Sequence, residues 1–384
     1  MKELRNIISV IEDLEKTNET AIATLVKVSG STYRSPGARM LINAEGNTIG
    51  AISGGCLESD VFEKAQAVIE SENPIVIKYD TTSEEDMIWG LGLGCQGIAY
   101  VLIEALEETK LQEIAFIKKC LSTRTYGAIA TIISVEDKSE IQLGQRLLLG
   151  DETIINNLSN DNLLTEVLSD TKTALQQNNS ILKEYHLAGK KIEVFIEVIQ
   201  PPLSLIVFGA GYDVLPLVNF SKQLGWDTTV VDNRQREASQ KRFEQADKIL
   251  LSAPDDILEN IEITELTVAV VMSHNYLDDL EMLKLLLPSK LKYLGILGPK
   301  KRTNRILEEL EEEKITVNAN IHSPVGLDIG ADNAEEIALS IVSEIQAVTS
   351  QRNAGFLRNR NAPIHVKEEL ATDKLLTDKL AADE

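Results

Sequence analysis

Two short stretches in the first hundred residues combine glycine with cysteine: Ser53-Gly54-Gly55-Cys56-Leu57-Glu58 and Gly90-Leu91-Gly92-Leu93-Gly94-Cys95-Gln96-Gly97. Glycine reaches positive φ and lets backbone approach a ligand closely, so each thiol is expected on an exposed, tightly turned loop. A third segment, Gly30-Ser31-Thr32-Tyr33-Arg34-Ser35-Pro36-Gly37-Ala38-Arg39-Met40, carries two guanidinium groups. Arginine in such a loop suits bidentate recognition of phosphate, carboxylate or a planar heterocycle, although surface turns also carry arginine with no ligand. Amides left free at Gly54-Gly55 and along Gly92 to Gly97 would cradle an anion, and a thiol beside Arg34 would be shifted toward thiolate. Thiolate is the form that ligates soft metals or carries sulfur. Cys120, in a helical stretch without glycine, reads as a core residue.

The second half of the chain offers a different chemistry. Gly209-Ala210-Gly211 follows an apolar strand and Asp232 closes the next one, which matches two parts of a dinucleotide fingerprint. The third part fails, because position 214 is valine. Asp213 falls where the helix N-cap is expected, and Pro216 suits the first turn. An N-cap carboxylate would occupy the amides that a pyrophosphate uses and would repel it. Arg234, His274, Asn275, Asp278, Gly298 and the basic run Lys300-Lys301-Arg302 also gather at predicted strand ends, which the fold would bring to one crevice. His274 is a candidate acid or base there and equally a loop residue. The four histidines, His186, His274, His322 and His365, show no metal-ligand spacing.

The elements that must position these groups fall into two domains. Leu4, Ile7, Ile8, Ile11 and Leu14 predict a helix over 1–18, followed by strands at 21–28, 39–42 and 48–52, a helix at 57–70 and strands at 75–79 and 98–104. Beyond residue 112 the β-like runs are 128–134, 146–149 and 192–198, with a polar stretch from Asn156 to Asn179, and no internal repeat is read. Pro201-Pro202 marks the boundary. After it, apolar strands at 203–208, 228–231, 248–251, 267–272 and 293–297 alternate with helices, which predicts a doubly wound parallel sheet. The fold class expected is α/β: an N-terminal α+β domain over 1–200 and a Rossmann-like domain over 201–350. A helix over 334–348 closes the second domain, with Asp332 or Asn333 as its cap, and a charged tail occupies 351–384, where Leu370, Leu376 and Leu380 line one face of a short helix.

Composition limits the function classes. The chain has 384 residues, a net charge of -22 and three cysteines, with no CxxC pair. A disulfide framework and a secretory signal are not expected, so the thiols are read as reduced and the protein as cytoplasmic. No apolar run is long enough for a membrane span, and so acidic a chain provides no basic field for nucleic acid.

Taken together, Gly30 through Met40, Ile52-Ser53-Gly54-Gly55-Cys56-Leu57-Glu58 and Trp89-Gly90-Leu91-Gly92-Leu93-Gly94-Cys95 resemble the amino-terminal domain of the xanthine dehydrogenase accessory factor family, the XdhC/CoxI type. Phe208-Gly209-Ala210-Gly211, Val231-Asp232-Asn233-Arg234, Met272-Ser273-His274-Asn275, Leu294-Gly295-Ile296-Leu297-Gly298 and Pro324-Val325-Gly326-Leu327-Asp328 resemble its Rossmann-like domain in the same order. Gln96 and Tyr212 depart from the residues usual there. The resemblance implies an accessory protein that binds the molybdenum cofactor, supports its sulfuration and delivers it to a molybdenum hydroxylase apoenzyme. A cysteine desulfurase as sulfur donor and a homodimeric state go with that reading. Cys56 and Cys95 would then stand near the metal or sulfur, Arg34 with the loop amides of Ser53, Gly54, Gly55 and Gly94 on the pterin phosphate, and Glu58 as a nearby acid or loop cap. The alternative is an oxidoreductase that binds NAD(P) through Gly209, Gly211, Asp232 and Arg234, with His274 as acid/base.

Overall fold

The computed structural model describes residues 2–14, 19–80, 97–136, 141–151, 153–252, 254–289 and 291–360. Gly94, Cys95 and the tail helix expected beyond 361 lie outside these residues. The chain divides into two compact units, Met1–Pro201 and Pro202–Glu384.

The first unit begins with α1 (Lys2–Asp13), β1 (Thr20–Gly30), β2 (Arg39–Asn43), β3 (Thr48–Gly50), α2 (Glu58–Ser71), β4 (Ile75–Asp80) and β5 (Gly97–Ala105). It continues with α3 (Glu108–Thr123), β6 (Gly127–Val135), β7 (Arg146–Leu149), β8 (Ile154–Asn156), α4 (Asp161–Gln177), β9 (Ile181–Leu187) and β10 (Lys190–Ile199). The strands form two antiparallel sheets, β3-β2-β1-β5-β4 and β8-β7-β6-β10-β9, so the two halves of the unit have one topology. This overturns the expectation of no internal repeat. A sequence echo accompanies it: Ala21-Ile22-Ala23-Thr24 recurs as Ala128-Ile129-Ala130-Thr131, and Gly37-x-Arg39 recurs at the same spacing as Gly144-x-Arg146. The polar stretch after Asn156 holds α4, and β9 follows it; neither was expected as an element. Its apolar positions Leu163, Val167 and Ala174 recur at helical spacing and are buried.

Strand alternation builds the cores. In β1, Ala21, Ala23 and Leu25 face α2, whereas Ile22 and Val26 face the second half. In β6, Ala130 and Ile132 face α4, and Ile129 and Ile133 face the first half. Between the halves lies a buried cluster of three cations and three carboxylates. Arg39 bonds Glu197 through both terminal nitrogens, at 2.8 and 2.6 Å, and reaches Glu113 at 3.3 Å. Arg146 likewise pairs with Glu104 and Glu113, and Lys110 joins the same two carboxylates, at 2.7 Å to Glu104 and 3.0 Å to Glu113. Each arginine also donates to the carbonyl of the glycine two residues before it, Arg39 to Gly37 at 3.0 Å and Arg146 to Gly144 at 2.9 Å. Both glycines have positive φ, and a side chain on either would strike the carboxylate of Glu197 or Glu104.

The second unit is a six-stranded parallel sheet in the order β13-β12-β11-β14-β15-β16. Its strands are β11 (Ser204–Phe208), β12 (Asp227–Val231), β13 (Lys248–Leu250), β14 (Thr267–Val271), β15 (Leu294–Ile296) and β16 (Ile321–His322). Its helices are α5 (Val214–Gln223), α6 (Ala238–Arg242), α7 (Pro254–Asn260), α8 (Tyr276–Leu286), α9 (Lys300–Glu312) and α10 (Ala334–Thr349). Leu205 and Val207 pack with α5 and α10 on one face, and Ile206 and Phe208 pack with α8 and α9 on the other. Asn333 caps α10 by accepting from the Glu336 amide at 2.9 Å. The fold is the expected α/β arrangement, and chain order reverses between β11 and β14, which opens a crevice at their carboxyl ends.

Burial alone would raise the Glu113 carboxyl, but Lys110, Arg146 and Arg39 outweigh it and hold the group far below its ordinary value of 4.5. Its contribution to stability is therefore complete above about pH 4.5 and is lost as pH falls further. Glu113→Gln leaves buried cations uncompensated and is expected to cost about 3–5 kcal/mol in urea unfolding, and to flatten the pH dependence of stability below 4.5; a cost under about 1 kcal/mol would contradict the cluster's role. Cys120 is 3% exposed, and burial pushes its thiol up to about 11. Mass spectrometry of native protein treated with iodoacetamide at pH 8 is expected to find Cys120 unmodified until denaturant is added, while the partly exposed Cys56 reacts; labelling of the two at equal rates would be the opposite result.

Candidate functional site

The loops carrying the first half's motifs leave one end of its sheet. Gly30 at the end of β1 pairs with Gly97 at the start of β5, Asp80 at the end of β4 pairs with Ile98, and Met40 near the start of β2 pairs with Gly50 at the end of β3. Residues 31–38, 51–57 and 81–96 are thus joined to the sheet at a common end. Gly97 itself tolerates no side chain, because a Cβ there would lie 2.3 Å from the Ser31 carbonyl oxygen.

Ser53 organises the Cys56 turn. Its hydroxyl accepts from the amides of Gly55 and Leu57, each at 3.2 Å, and from the Cys56 thiol at 3.5 Å, while donating to Glu58. Glu58 also accepts the Ser53 amide at 2.8 Å and the Leu57 amide at 3.1 Å. Burial works to raise the Glu58 carboxyl, yet these hydrogen bonds hold it below the usual carboxylate value. Glu58 therefore stands as a charged clamp on its own loop. The amides of Gly54 and Cys56 have no hydrogen-bond partner among the described residues, and a Cβ on Gly55 would meet nothing within 4 Å.

The second half shows what the same fold does without this loop. Asn160 stands where Gly54 does and caps α4, accepting from the amides of Asn162 and Leu163 at 3.1 Å each. The residues after it, Asp161 to Leu163, open α4, whereas their counterparts Gly55 to Leu57 stay outside α2. Cys56 thus takes the place of Asn162, an exposed residue of the helical first turn, while Leu57 and its counterpart Leu163 are both buried. Between β9 and β10 the chain turns with Ala188 and Gly189 alone, both at positive φ, where the first half spends residues 81–96 and so Cys95. Both cysteine loops are departures from a repeat that folds without them.

Arg34 is half-buried and its fork is taken by a carboxylate of α1, with Nη1 to Glu3 Oε1 at 3.0 Å and Nη2 to Oε2 at 2.5 Å. The bond from Arg34 lowers the Glu3 carboxyl and raises the Arg34 guanidinium in turn. Arg39, the second arginine of the expected ligand loop, is instead buried in the ion cluster and serves the fold.

In the second unit the structure corrects the reading of Asp213. Its backbone is helical and its side chain makes no cap bond; Oδ2 lies 2.6 Å from His274 Nε2. The carboxylate folds over Gly211, where a Cβ would meet Oδ1 at 2.3 Å. It therefore obstructs the glycine loop directly and leaves the helix amides alone. Gly209 is required by contact, since a Cβ would fall 2.4 Å from the Met272 carbonyl oxygen. Val214, which breaks the fingerprint, is wholly buried in the core. His274 sits at φ +58, a strained backbone for a residue with a side chain, on the far side of the chain reversal from Asp213.

Asp232 is 1% exposed and already satisfied, by Arg236 Nε at 2.9 Å, Ser239 Oγ at 2.5 Å and the Arg234 amide at 3.2 Å. Burial opposes its charge, but Arg236 and Ser239 keep it below the ordinary aspartate value. Arg234 turns to Asp278 at 3.0 Å, and Arg302 from the basic run is tied to Asp279 at 2.5 Å. Sequence reasoning missed Arg236 and Ser239; the i, i+4 spacing of Asp232 and Arg236 was the available signal. No group of three or more His, Cys, Asp or Glu residues placed to hold a metal occurs among the described residues, and no described helix is long and apolar enough to cross a membrane.

Comparison with known proteins agrees with this architecture. The model of the XdhC and CoxI family matches residues 14–80, and that of the XdhC Rossmann domain matches residues 205–345. The chain is 34% identical over 332 residues, 86% of its length, to a Bacillus subtilis protein named as a probable xanthine dehydrogenase subunit, covering 94% of that protein. It is 20% identical over 343 residues to the molybdenum cofactor insertion chaperone PaoD of Escherichia coli, covering 88% of this chain and 86% of that one. A crystal structure of a xanthine dehydrogenase from Bacillus halodurans superimposes with a TM-score of 0.75 at 30% identity, covering 93% of this chain and 98% of the other. The chain belongs to the XdhC and CoxI family, the xanthine dehydrogenase accessory factors.

Proposed function

We propose that this protein is an accessory chaperone of a molybdenum hydroxylase that binds the molybdenum cofactor as cargo, supports its sulfuration and hands it to the apoenzyme without turnover of its own. The observation that carries the reading is the opened turn of the first half. Against a repeat that closes the same position with a capped helical turn, the chain presents a thiol and two unpartnered amides.

The donor set suits the cargo. A thiol is a soft ligand that favours a sulfur-seeking metal, amides at a glycine turn accept an anionic oxygen, and a guanidinium fork takes a phosphate. Cys56 and Cys95 are the proposed metal or sulfur ligands. Arg34 is the proposed phosphate partner, with the open amides of Gly54 and Cys56; those of Ser53 and Gly55, also expected there, are taken by Glu58 and the Ser53 hydroxyl. The half-exposed ion pair with Glu3 is worth no more than about 1 kcal/mol, so a dianionic phosphate can displace the carboxylate. Glu58 stays ionised to hold the turn and does not move a proton.

The partners that follow are a molybdenum hydroxylase apoenzyme and a cysteine desulfurase, with the chaperone itself a cytoplasmic homodimer. The 34% relative named for xanthine dehydrogenase and the chaperone named for cofactor insertion support the accessory role. The nucleotide alternative is weaker. Asp232 would have to leave Arg236 and Ser239 to bind a ribose, and Asp213 lies over the glycine loop that a pyrophosphate needs.

Wild-type protein co-expressed with cofactor synthesis is expected to retain molybdenum and pterin fluorescence through purification. Cys56→Ala is expected to lose most of both with an unchanged melting temperature. Equal retention by the variant would remove Cys56 from the site.

A further inference from the structure

The cargo reading leaves one exposed group of the first unit unused. Tyr33 is 64% exposed, and its ring lies over the opened turn, where a methyl group on Gly54 would sit 3.6 Å from the nearest ring carbons. The phenol hydroxyl makes no hydrogen bond among the described residues. A lone exposed aromatic is ordinary on a protein surface. Here the repeat supplies a comparison. Counting back from the shared Gly-x-Arg pair, Arg34 occupies the position of Ile141, which is buried in the core of the second half. The second half thus turns Ile141 inward to fill a core. The first half leaves Arg34 half-exposed and carries Tyr33 over Gly54, on the turn whose Gly54 and Cys56 amides are free. Nothing in the packing of the first half requires an aromatic ring there, since Tyr33 belongs to none of the buried clusters of the unit.

We propose that Tyr33 is the stacking platform on which the planar ring system of the bound cofactor lies, one face of the phenol resting on Gly54 and the other on the heterocycle. This rests on the cargo reading and adds the residue that selects for a flat ligand. Aromatic stacking accepts any flat π-system, so it gives affinity at small cost in specificity and releases its ligand readily. The arrangement divides recognition among three groups: Tyr33 for the ring, Arg34 for the phosphate and Cys56 for the soft centre.

The test uses equilibrium dialysis of the full-length protein against pterin-6-carboxylic acid, read by pterin fluorescence, with Tyr33→Phe and Tyr33→Ala beside wild type. Tyr33 is a surface residue, and unchanged melting temperatures check that both variants fold. Tyr33→Phe is expected to bind within about twofold of wild type, and Tyr33→Ala about tenfold or more weakly. Equal binding by wild type and Tyr33→Ala overturns the proposal, and so does an equal loss in both variants, which would assign the effect to the hydroxyl. The cargo reading is judged separately by molybdenum retention in Cys56→Ala. If wild type holds molybdenum but Tyr33→Ala binds the pterin normally, stacking alone is wrong. If wild type binds neither molybdenum nor pterin, both fail.

Discussion

Six buried charges hold the first unit in register. Glu113 stands at the centre, reached by Lys110 of its own helix and by one arginine from each half. Arg39 and Arg146 begin β2 and β7, the strands that the glycine loops lead into, so the cluster fixes where both loops enter their sheets. Desolvating so many charges is costly, and an apolar replacement of equal volume would be as stable or more so. What the ions provide is a single geometry: each arginine must meet its carboxylates and the carbonyl of its own loop glycine at once. The outward setting of Tyr33 and Arg34 depends on that anchor, a short step downstream of Arg34.

The repeat gives the loops their meaning. Two halves with one topology and matched ion pairs differ most where the cysteines stand. The second half closes its β9–β10 hairpin with two residues and begins its helix at the cap, which is what stability alone asks for. The first half forgoes the opening of the helix at Gly55 to Leu57 and inserts a long connection before β5. Unpaired amides and a half-exposed thiol are poor structural choices, and a ligand that uses them explains why they persist.

Much of this was legible in the residues. The strands of the second unit read as continuous apolar runs because both faces of a parallel sheet are covered, and the glycine context of Cys56 marked a loop before any fold was known. α4 was hidden because its outward positions are polar and its buried ones are spaced among them. The repeat was hidden because topology was retained while the loops and most side chains diverged. Its trace, the recurring Ala-Ile-Ala-Thr and Gly-x-Arg, is short enough to pass for chance. Asp213 was misread for a physical reason: position favours a cap, but a histidine from the adjacent strand end competes for the carboxylate. Arg39 was misread because burial, which reverses the meaning of a charged side chain, has no signature in a loop sequence.

The central claim is that the first half of the first unit bears the ligand and the second half is its scaffold. Hydrogen–deuterium exchange of the protein with and without molybdenum cofactor tests this directly, because each functional loop has an internal control. The account predicts slowed exchange at residues 31–38 and 51–57 on loading, with no change at their counterparts 138–145 and 157–163. Protection confined to 209–213 and 232–236, with the cysteine loop unaffected, would place the ligand on the parallel sheet and contradict it.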